Sequence, residues 1–267
     1  MVDFHRGFED IDASADQQSF FQFLDLADRL PSITKYRERM LELCPTGDGS
    51  TVLDVGCGLG NEATRIAHRV GKTGMVYGAD TSEAMIAEAR RRTPELGLPL
   101  EFQVCDAHGL AFEDASFDVC RSERVFLYLE NPATAIAEMA RVTRPGGHVI
   151  VFDFDYVTRF IDSDFAPMTR QVEALLARDA RNPAIGRELP HLMRKARLKV
   201  DAIEPVTFLT TVAIARRVYA AALSKGVATG VFTAADVEAW WREQEAMEQD
   251  GSFYHAQHGY IVAASKP

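Results

Sequence analysis

Thr51-Val-Leu-Asp-Val-Gly-Cys-Gly-Leu-Gly60 brings a run of strand-forming residues, one carboxylate and three glycines into ten positions. Val52, Leu53 and Val55 suit a strand covered on both faces. Gly56, Gly58 and Gly60 remove side chains where the backbone must turn sharply or approach a ligand closely. Beyond them Ala63, Ile66, Ala67 and Val70 recur at helical spacing, which predicts a helix from about Gly60. The unit reads as strand, glycine turn, helix. Its glycines stand two apart, whereas a dinucleotide site wants G-x-G-x-x-G, so the spacing argues against an ordinary NAD site.

The same alternation continues downstream. Gly74-Met-Val-Tyr-Gly-Ala-Asp80 reads as a second strand ending in an acid, with Thr81 or Ser82 as N-cap of a helix bearing Met85, Ile86 and Ala89. Leu100-Glu-Phe-Gln-Val-Cys105 is a third strand and ends at another acid, Asp106. A fourth strand runs over Val119-Cys-Arg-Ser122, and Asn131-Pro132 starts a helix with Asn as cap and Pro at its first position. Arg144-Pro-Gly-Gly147 is expected to stop that helix and turn the chain into a fifth strand, His148 to Phe154. Such alternation predicts an α/β fold with a doubly wound, mostly parallel sheet. Ligands bind such sheets beyond the carboxyl ends of the strands, so the Gly56 turn, Asp80 and Asp106 should share one crevice.

The flanks are helical. Residues 1–19 read as an acidic arm or a short helix that needs no catalytic role. Phe20, Phe21, Phe23, Leu24, Leu26 and Leu30 make an aromatic helix that stops at Pro31, and a second helix leads to Pro45. These two helices either pack in the core or fold over the glycine turn as a lid. After Tyr156 come helices over about 165–181, 186–197, 211–225 and 233–247, with strands near Val200 to Leu209 and Phe253 to Ala264, the last antiparallel to the one before it. Thr233 to Asp236 resembles a capping box. The expected organisation is one structural domain, with 1–45 as a helical lid, 46–155 as the ligand-binding core and 156–267 as the rest of the sheet with helical cap insertions.

Composition narrows the partners. The chain of 267 residues carries a formal net charge of −10, and no apolar run approaches the ~20 residues of a membrane helix. Arg90-Arg91-Arg92 and Arg194-Lys195-Ala-Arg197 fall at expected helix C-termini, where cations complement the dipole, so neither is a nucleic-acid footprint. Met-Val-Asp-Phe-His-Arg lacks the order of a secretion signal, and a cytoplasmic protein is expected. Cys44, Cys57, Cys105 and Cys120 show no C-x-x-C spacing and are expected as buried thiols, with no metal.

Asp54, Asp80 and Asp106 end or interrupt three successive apolar runs. A carboxylate ending the second strand beside a glycine turn suits both hydroxyls of a ribose. Asp106, one strand further on, is placed to accept from an exocyclic amine such as that of adenine. Each acid taken singly is also explained as a cap of the helix that follows it.

With these residues together, the chain resembles the class I S-adenosylmethionine-dependent methyltransferases, and among them the ubiquinone/menaquinone-biosynthesis-like group that acts on small molecules. The resemblance is carried by Val52 to Gly60, Gly78-Ala-Asp80-Thr81-Ser-Glu-Ala-Met85, Cys105-Asp106-Ala107, Ser116-Phe-Asp118-Val and Arg141-Val-Thr-Arg-Pro-Gly-Gly147, over roughly residues 50–155. It implies a Rossmann-like, seven-stranded sheet with the last strand antiparallel. It implies S-adenosylmethionine as cofactor, with Asp54, Gly56, Cys57, Gly58, Asp80, Thr81, Met85, Asp106, Ala107, Arg121 and Ser122 around it. Gly56, Cys57 and Gly58 would line the aminoacyl part, Asp80 the ribose, Met85, Asp106 and Ala107 the adenine, and Arg121 or Ser122 the methionine part. Arg37 or Arg39 either meets the cofactor carboxylate or makes surface salt bridges.

The implied activity is methyl transfer to an O, N or C atom of a small hydrophobic or aromatic acceptor, and a homodimer is left open. Tyr128, Asp155, Tyr156, His255 and His258 are the candidates for a general base, with none singled out. The alternatives are a non-methylating enzyme such as a cyclase on the same fold, and a catalytically inactive ligand-binding module.

Overall fold

A computed structural model describes residues 7–43, 45–93 and 97–267. Cys44 therefore lies outside the described residues, while Cys57, Cys105 and Cys120 are buried and outside any disulfide. The strands are β1 (Thr51–Val55), β2 (Met75–Asp80), β3 (Leu100–Val104), β4 (Phe117–Glu123), β5 (Thr143–Ile161), β6 (Lys199–Leu209) and β7 (His255–Ser265). They form one seven-stranded sheet in the order β3-β2-β1-β4-β5-β7-β6. β1 pairs in parallel with β2 and β4, β2 with β3, and β4 with β5. β7 runs antiparallel to both β5 and β6 and lies between them.

The helices are α1 (Gln17–Ala27), α2 (Pro31–Leu43), α3 (Asn61–Val70), α4 (Glu83–Arg92), α5 (Pro132–Val142), α6 (Ala166–Asp179), α7 (Ile185–Lys195), α8 (Val212–Ala228) and α9 (Ala234–Asp250). Their starts follow local chemistry. Ser82 accepts the Met85 N–H at α4, and Asn131 accepts the Thr134 N–H at α5 with Pro132 next to it. At α9 Thr233 and Asp236 complete a reciprocal capping box. Arg90, Arg91 and Arg92 occupy the last turn of α4, and Arg194 and Lys195 that of α7, where they complement the helix dipole.

The core is continuous across the sheet. Val52, Leu53, Val76, Val119, Cys120, Val149, Val151, Ile261 and Val262 are buried in it, with Ala63, Ile66 and Ala67 of α3 and Ile136 and Met139 of α5 against them. A second apolar cluster joins α6, α8 and α9 through Met168, Val172, Leu176, Tyr219, Trp240 and Trp241, with Trp240 Nε1 donating to Thr169 Oγ1 at 2.9 Å. This cluster is the helical cap.

Two expectations are corrected here. Arg144-Pro-Gly-Gly147 does not form a separate turn before β5. It lies within the strand, where the register with β4 shifts between Phe117 and Val119 and Gly146 adopts φ +77°. β5 also runs well past Phe154: after a second irregularity between Asp155 and Phe160, it pairs Phe160 and Ile161 with Ala256 and His255 of β7. That extension carries the chain from the sheet into the cap.

Candidate functional site

The glycine turn is built by β2. Gly56 N–H and Cys57 N–H both donate to Ala79 O, at 2.7 and 3.0 Å. Gly58 N–H donates to Asp80 Oδ2 at 2.9 Å, while Asp80 Oδ1 accepts the Ser82 N–H at 3.0 Å. A side chain at Gly56, where φ is +72°, would place its Cβ 2.1 Å from Val125 Cγ2. A Cβ at Gly58 would meet nothing closer than Leu24 Cδ1 at 3.9 Å. The first glycine thus permits close packing, and the second opens the turn toward a cavity.

That cavity has a volume of about 270 Å³. Asp54, Gly56, Cys57, Gly58, Asp80 and Thr81 lie on its wall, as do Met85, Asp106, Ala107 and Arg121. Ser122 does not. Its Oγ donates to Val55 O at 2.9 Å and the residue is fully buried, so it ties β4 to β1. Asp80 is half-buried, and its desolvation raises its pKa against the opposing N–H donors of Ser82 and Gly58. At Asp106 burial raises the pKa, but His108 overrides it through backbone and ring hydrogen bonds, and the net shift is downward. Asn131 N–H donates to His108 Nε2 at 3.1 Å, which leaves Nδ1 as the protonated nitrogen that donates to Asp106 Oδ1 at 2.7 Å. Both His108 donors meet Oδ1, so Oδ2 keeps acceptor capacity for a ligand.

Next to the turn lies a buried ionic network. Arg121 donates to Asp54 Oδ1 at 3.1 Å and to Glu123 Oε2 at 2.9 Å. Arg37 Nε reaches both oxygens of Glu123, at 2.9 and 3.0 Å, and Tyr36 Oη donates to it at 2.7 Å. Arg124 Nε adds a bond of 3.1 Å to the same carboxylate. Burial pushes the Asp54 carboxyl up to about 6, with Arg121 acting against it. Glu123 is held far below the usual carboxylate range because Arg37, Arg124 and Arg121 outweigh its burial. Arg37 is therefore an internal cation on the cavity wall, whereas Arg39 is a surface residue paired with Glu42 and Glu204.

The N-terminal segment closes the cavity on one side. Asp12 accepts from Ser82 Oγ at 2.6 Å, Glu83 N–H at 2.7 Å and Ala84 N–H at 3.1 Å, so it caps α4 from a distance in sequence. Phe8 and Ile11 reach the wall, joined by Phe23 and Leu24 of α1. Ile11, Phe20, Phe21, Leu59 and Met85 form a small apolar cluster of their own. Phe8, Ile11 and Asp12 thus take part in the site's surroundings, which the reading of residues 1–19 as an acidic arm or short helix did not assign.

On the other side the wall is aromatic and belongs to β5, β6, α8 and β7. Phe154, Tyr156, Phe208, Ile214, Val218 and His255 lie on it. Of the five candidate bases, Tyr128, Tyr156 and His255 line the cavity. Asp155 is instead paired with Arg187, and His258 meets Thr207 Oγ1 at 3.3 Å, both away from the wall. Burial raises the Tyr128 and Tyr156 hydroxyls, and burial followed by the Arg159 charge holds His255 well below its usual value. Trp240 and Trp241 stay inside the cap cluster; α8 supplies the cap's contact with the cavity.

Glu123, Arg124, Asp28, Glu62 and Arg159 also line the cavity and were missed in the sequence. The run Arg121-Ser-Glu-Arg124 at a strand end was the available signal, since buried strands rarely carry charges without a purpose. Nothing local marks Arg159.

Residues 53–151 match the family described as methyltransferase domain. The domain is a class I S-adenosylmethionine-dependent methyltransferase. The chain is 37% identical, over 122 residues, to the ubiquinone/menaquinone biosynthesis C-methyltransferase of Bdellovibrio bacteriovorus, covering 46% of this chain and 52% of that one. It is 34% identical, over 186 residues, to an uncharacterized 37.1 kDa protein in transposon TN4556 of Streptomyces fradiae, covering 69% of this chain and 54% of that one. The chain spans about half the length of the curated relatives it matches. In fold it is similar to a SAM-dependent methyltransferase from Aquifex aeolicus, with TM-score 0.53 and 18% identity over 85% of this chain and 88% of that one. It is also similar to the [4+2]-cyclase SpnF, with TM-score 0.55 and 24% identity over 87% and 80% of the two chains.

S-adenosylmethionine is the cofactor of this methyltransferase domain, and the cavity fits it in two respects. Gly58 leaves the turn open to a ligand, and the buried atoms Glu62 Oε2 and Asp28 Oδ1 have no hydrogen-bond partner although both residues line the cavity. Asp28 Oδ1 is 3.0 Å from Arg37 Nη2 without the alignment of a hydrogen bond. The carboxylates of Asp28, Asp54, Glu62 and Glu123 face the guanidiniums of Arg37, Arg121 and Arg124, and Glu62 Oε1 is also paired with Arg65 at 2.9 Å. The unpartnered oxygens of Glu62 and Asp28 suit a ligand that carries an ammonium and a sulfonium.

Proposed function

We propose that this protein transfers a methyl group from S-adenosylmethionine to an O, N or C atom of a small hydrophobic or aromatic metabolite. One observation carries the reading: a single cavity contains both the glycine turn with Asp80 and the aromatic wall of Phe154, Tyr156 and Phe208. The first part suits a nucleoside, and the second suits an apolar acceptor. S-adenosylmethionine would supply a methyl on a sulfonium, whose sulfur would depart as a neutral thioether as an electron pair of the acceptor forms the new bond to the methyl carbon.

The chain's own task is then to bind, align and exclude water. Alignment of this kind contributes on the order of 7 to 11 kcal/mol in favourable intramolecular reactions. Asp80 and Asp106 hold the nucleoside, and Arg121 with Asp54 borders the methionine end. Tyr128 and Tyr156 stay protonated at neutral pH and act as hydrogen-bond donors, and His255 stays neutral. In this reading residues 1–45 act as a lid, 46–155 as the cofactor core, and 156–267 complete the sheet and the acceptor cap. Among the described residues no helix is long and apolar enough to cross a membrane. With a net charge of −10, the protein works on a small molecule in the cytoplasm, without nucleic acid or membrane, as a monomer or homodimer.

The test is incubation with methyl-labelled cofactor and small-metabolite extracts. Label in an extractable product is expected. Conversion of a metabolite without label would replace methyl transfer by a non-methylating reaction such as cyclisation.

A further inference from the structure

We infer that the acceptor carries a carboxylate and that Arg159 binds it. The inference rests on the cavity being the acceptor site proposed above. Arg159 stands on the extension of β5 and is 6% exposed. Its guanidinium carbon lies 4.5 Å from the ring centre of Tyr156 and 5.5 Å from that of Tyr219. Nε and Nη2 both donate to one atom, Gln257 Oε1, at 3.1 and 2.7 Å. Nη1 is buried without a hydrogen-bond partner, and Arg159 lines the cavity.

The charge is therefore solvated by a neutral amide and two aromatic faces, with no ion pair among the described residues. Glu173, an acid whose carboxyl feels the Arg159 charge, is bonded to the Ile161 N–H at 3.2 Å. A buried guanidinium without a counter-charge is costly, and structures keep one where something supplies the charge. Thr210 Oγ1 is a second buried polar atom without a partner, and it lies on the same wall.

The unpaired Nη1 and the Thr210 hydroxyl match the two oxygens of a carboxylate. A phosphate or sulfate dianion would bring a second negative charge that the single guanidinium does not offset, desolvated beside Phe154 and Phe208. An uncharged acceptor would leave the Arg159 guanidinium without a counter-charge. The ligand class is thus an apolar or aromatic body ending in a carboxylate.

The test is calorimetric titration of the full chain, with and without S-adenosylhomocysteine, using 4-phenylbutyrate, cinnamate and decanoate against their primary amides. At least one acid should bind about 10-fold or more tightly than its amide, as expected of a charge-assisted hydrogen bond. Arg159→Met should abolish that preference while leaving the affinity for the amide and for S-adenosylhomocysteine within about twofold. Arg159→Lys, which keeps the charge without the fork, should retain part of the preference and serves if Arg159→Met does not fold. Equal binding of every acid and its amide by the wild-type chain, or an undiminished preference in Arg159→Met, overturns the inference. Failure of S-adenosylhomocysteine to bind would strike the cofactor reading alone, because the acid-amide comparison is also made without it.

Discussion

Gly58 N–H donates to Asp80 Oδ2 at 2.9 Å, so the acid that ends β2 braces the turn that ends β1. The second oxygen of Asp80 accepts from Ser82 N–H at the start of α4. A single carboxylate therefore couples the turn and the next helix before any ligand arrives, and its spare lone pairs face a cavity it helps to line.

Asp80→Ala should remove the response to cofactor. A ligand at 100 times its dissociation constant stabilises a protein by about 2.7 kcal/mol. Thermal unfolding of the wild-type chain with S-adenosylhomocysteine should show such a shift, and the variant should show none. The variant alone should lose on the order of 1 to 3 kcal/mol, because two backbone donors lose their acceptor.

Gly56→Ala tests packing rather than binding. Its Cβ would fall 2.1 Å from Val125 Cγ2 at a backbone φ of +72°, so either Val125 or the turn must move. Urea unfolding should show a loss of about 1 to 3 kcal/mol. Gly58→Ala, with 3.9 Å to its nearest neighbour, should lose less stability and more affinity for S-adenosylhomocysteine.

Asp12→Ala removes a cap supplied from outside α4. The expected cost is about 1 kcal/mol, as for other lost N-caps. Residues 7–16 should become more open to amide exchange while the β5 and β7 amides stay protected. Unchanged exchange in that segment would show that Asp12 does not hold it down.

The acid dependence of stability should have two opposing parts. Burial raises the Asp153 carboxyl to about 7 and the Asp54 carboxyl to about 6. For both, the folded chain binds more protons than the unfolded one between about pH 4 and these values, so stability should fall as pH rises through that window. Glu88, held at about 2 by Arg91 against its modest burial and helped by Arg92, works the other way: its contribution is present above the unfolded value and fades as pH falls toward 2. Asp153→Asn, which resembles the protonated acid, should flatten the urea midpoint between pH 5 and 7. An unchanged slope would exclude Asp153 as a source.

How far the site could be read in the sequence depended on distance along the chain. Gly56, Asp80 and Asp106 were legible because each ends or follows an apolar strand, and parallel strands in a doubly wound sheet bring such ends together. The caps at Ser82, Asn131 and Thr233 were legible because a cap acts over three residues. Ser122 was misplaced by one step of strand alternation: Arg121 lies on the cavity wall, and its neighbour points to Val55 O.

The amino-acid sequence by itself determined the order of strands and helices, the open glycine turn and the acids around it, since each of these is set within one element. The tertiary structure alone decided that β7 inserts between β5 and β6, that Asp12 crosses to cap α4, and that Arg37, Arg121 and Arg124 converge on Glu123. It also decided that Arg159 is buried beside Tyr156 and Tyr219 with one donor unmatched. The physical reason is that burial and charge pairing depend on which distant segment covers a residue, and local periodicity carries no record of that partner.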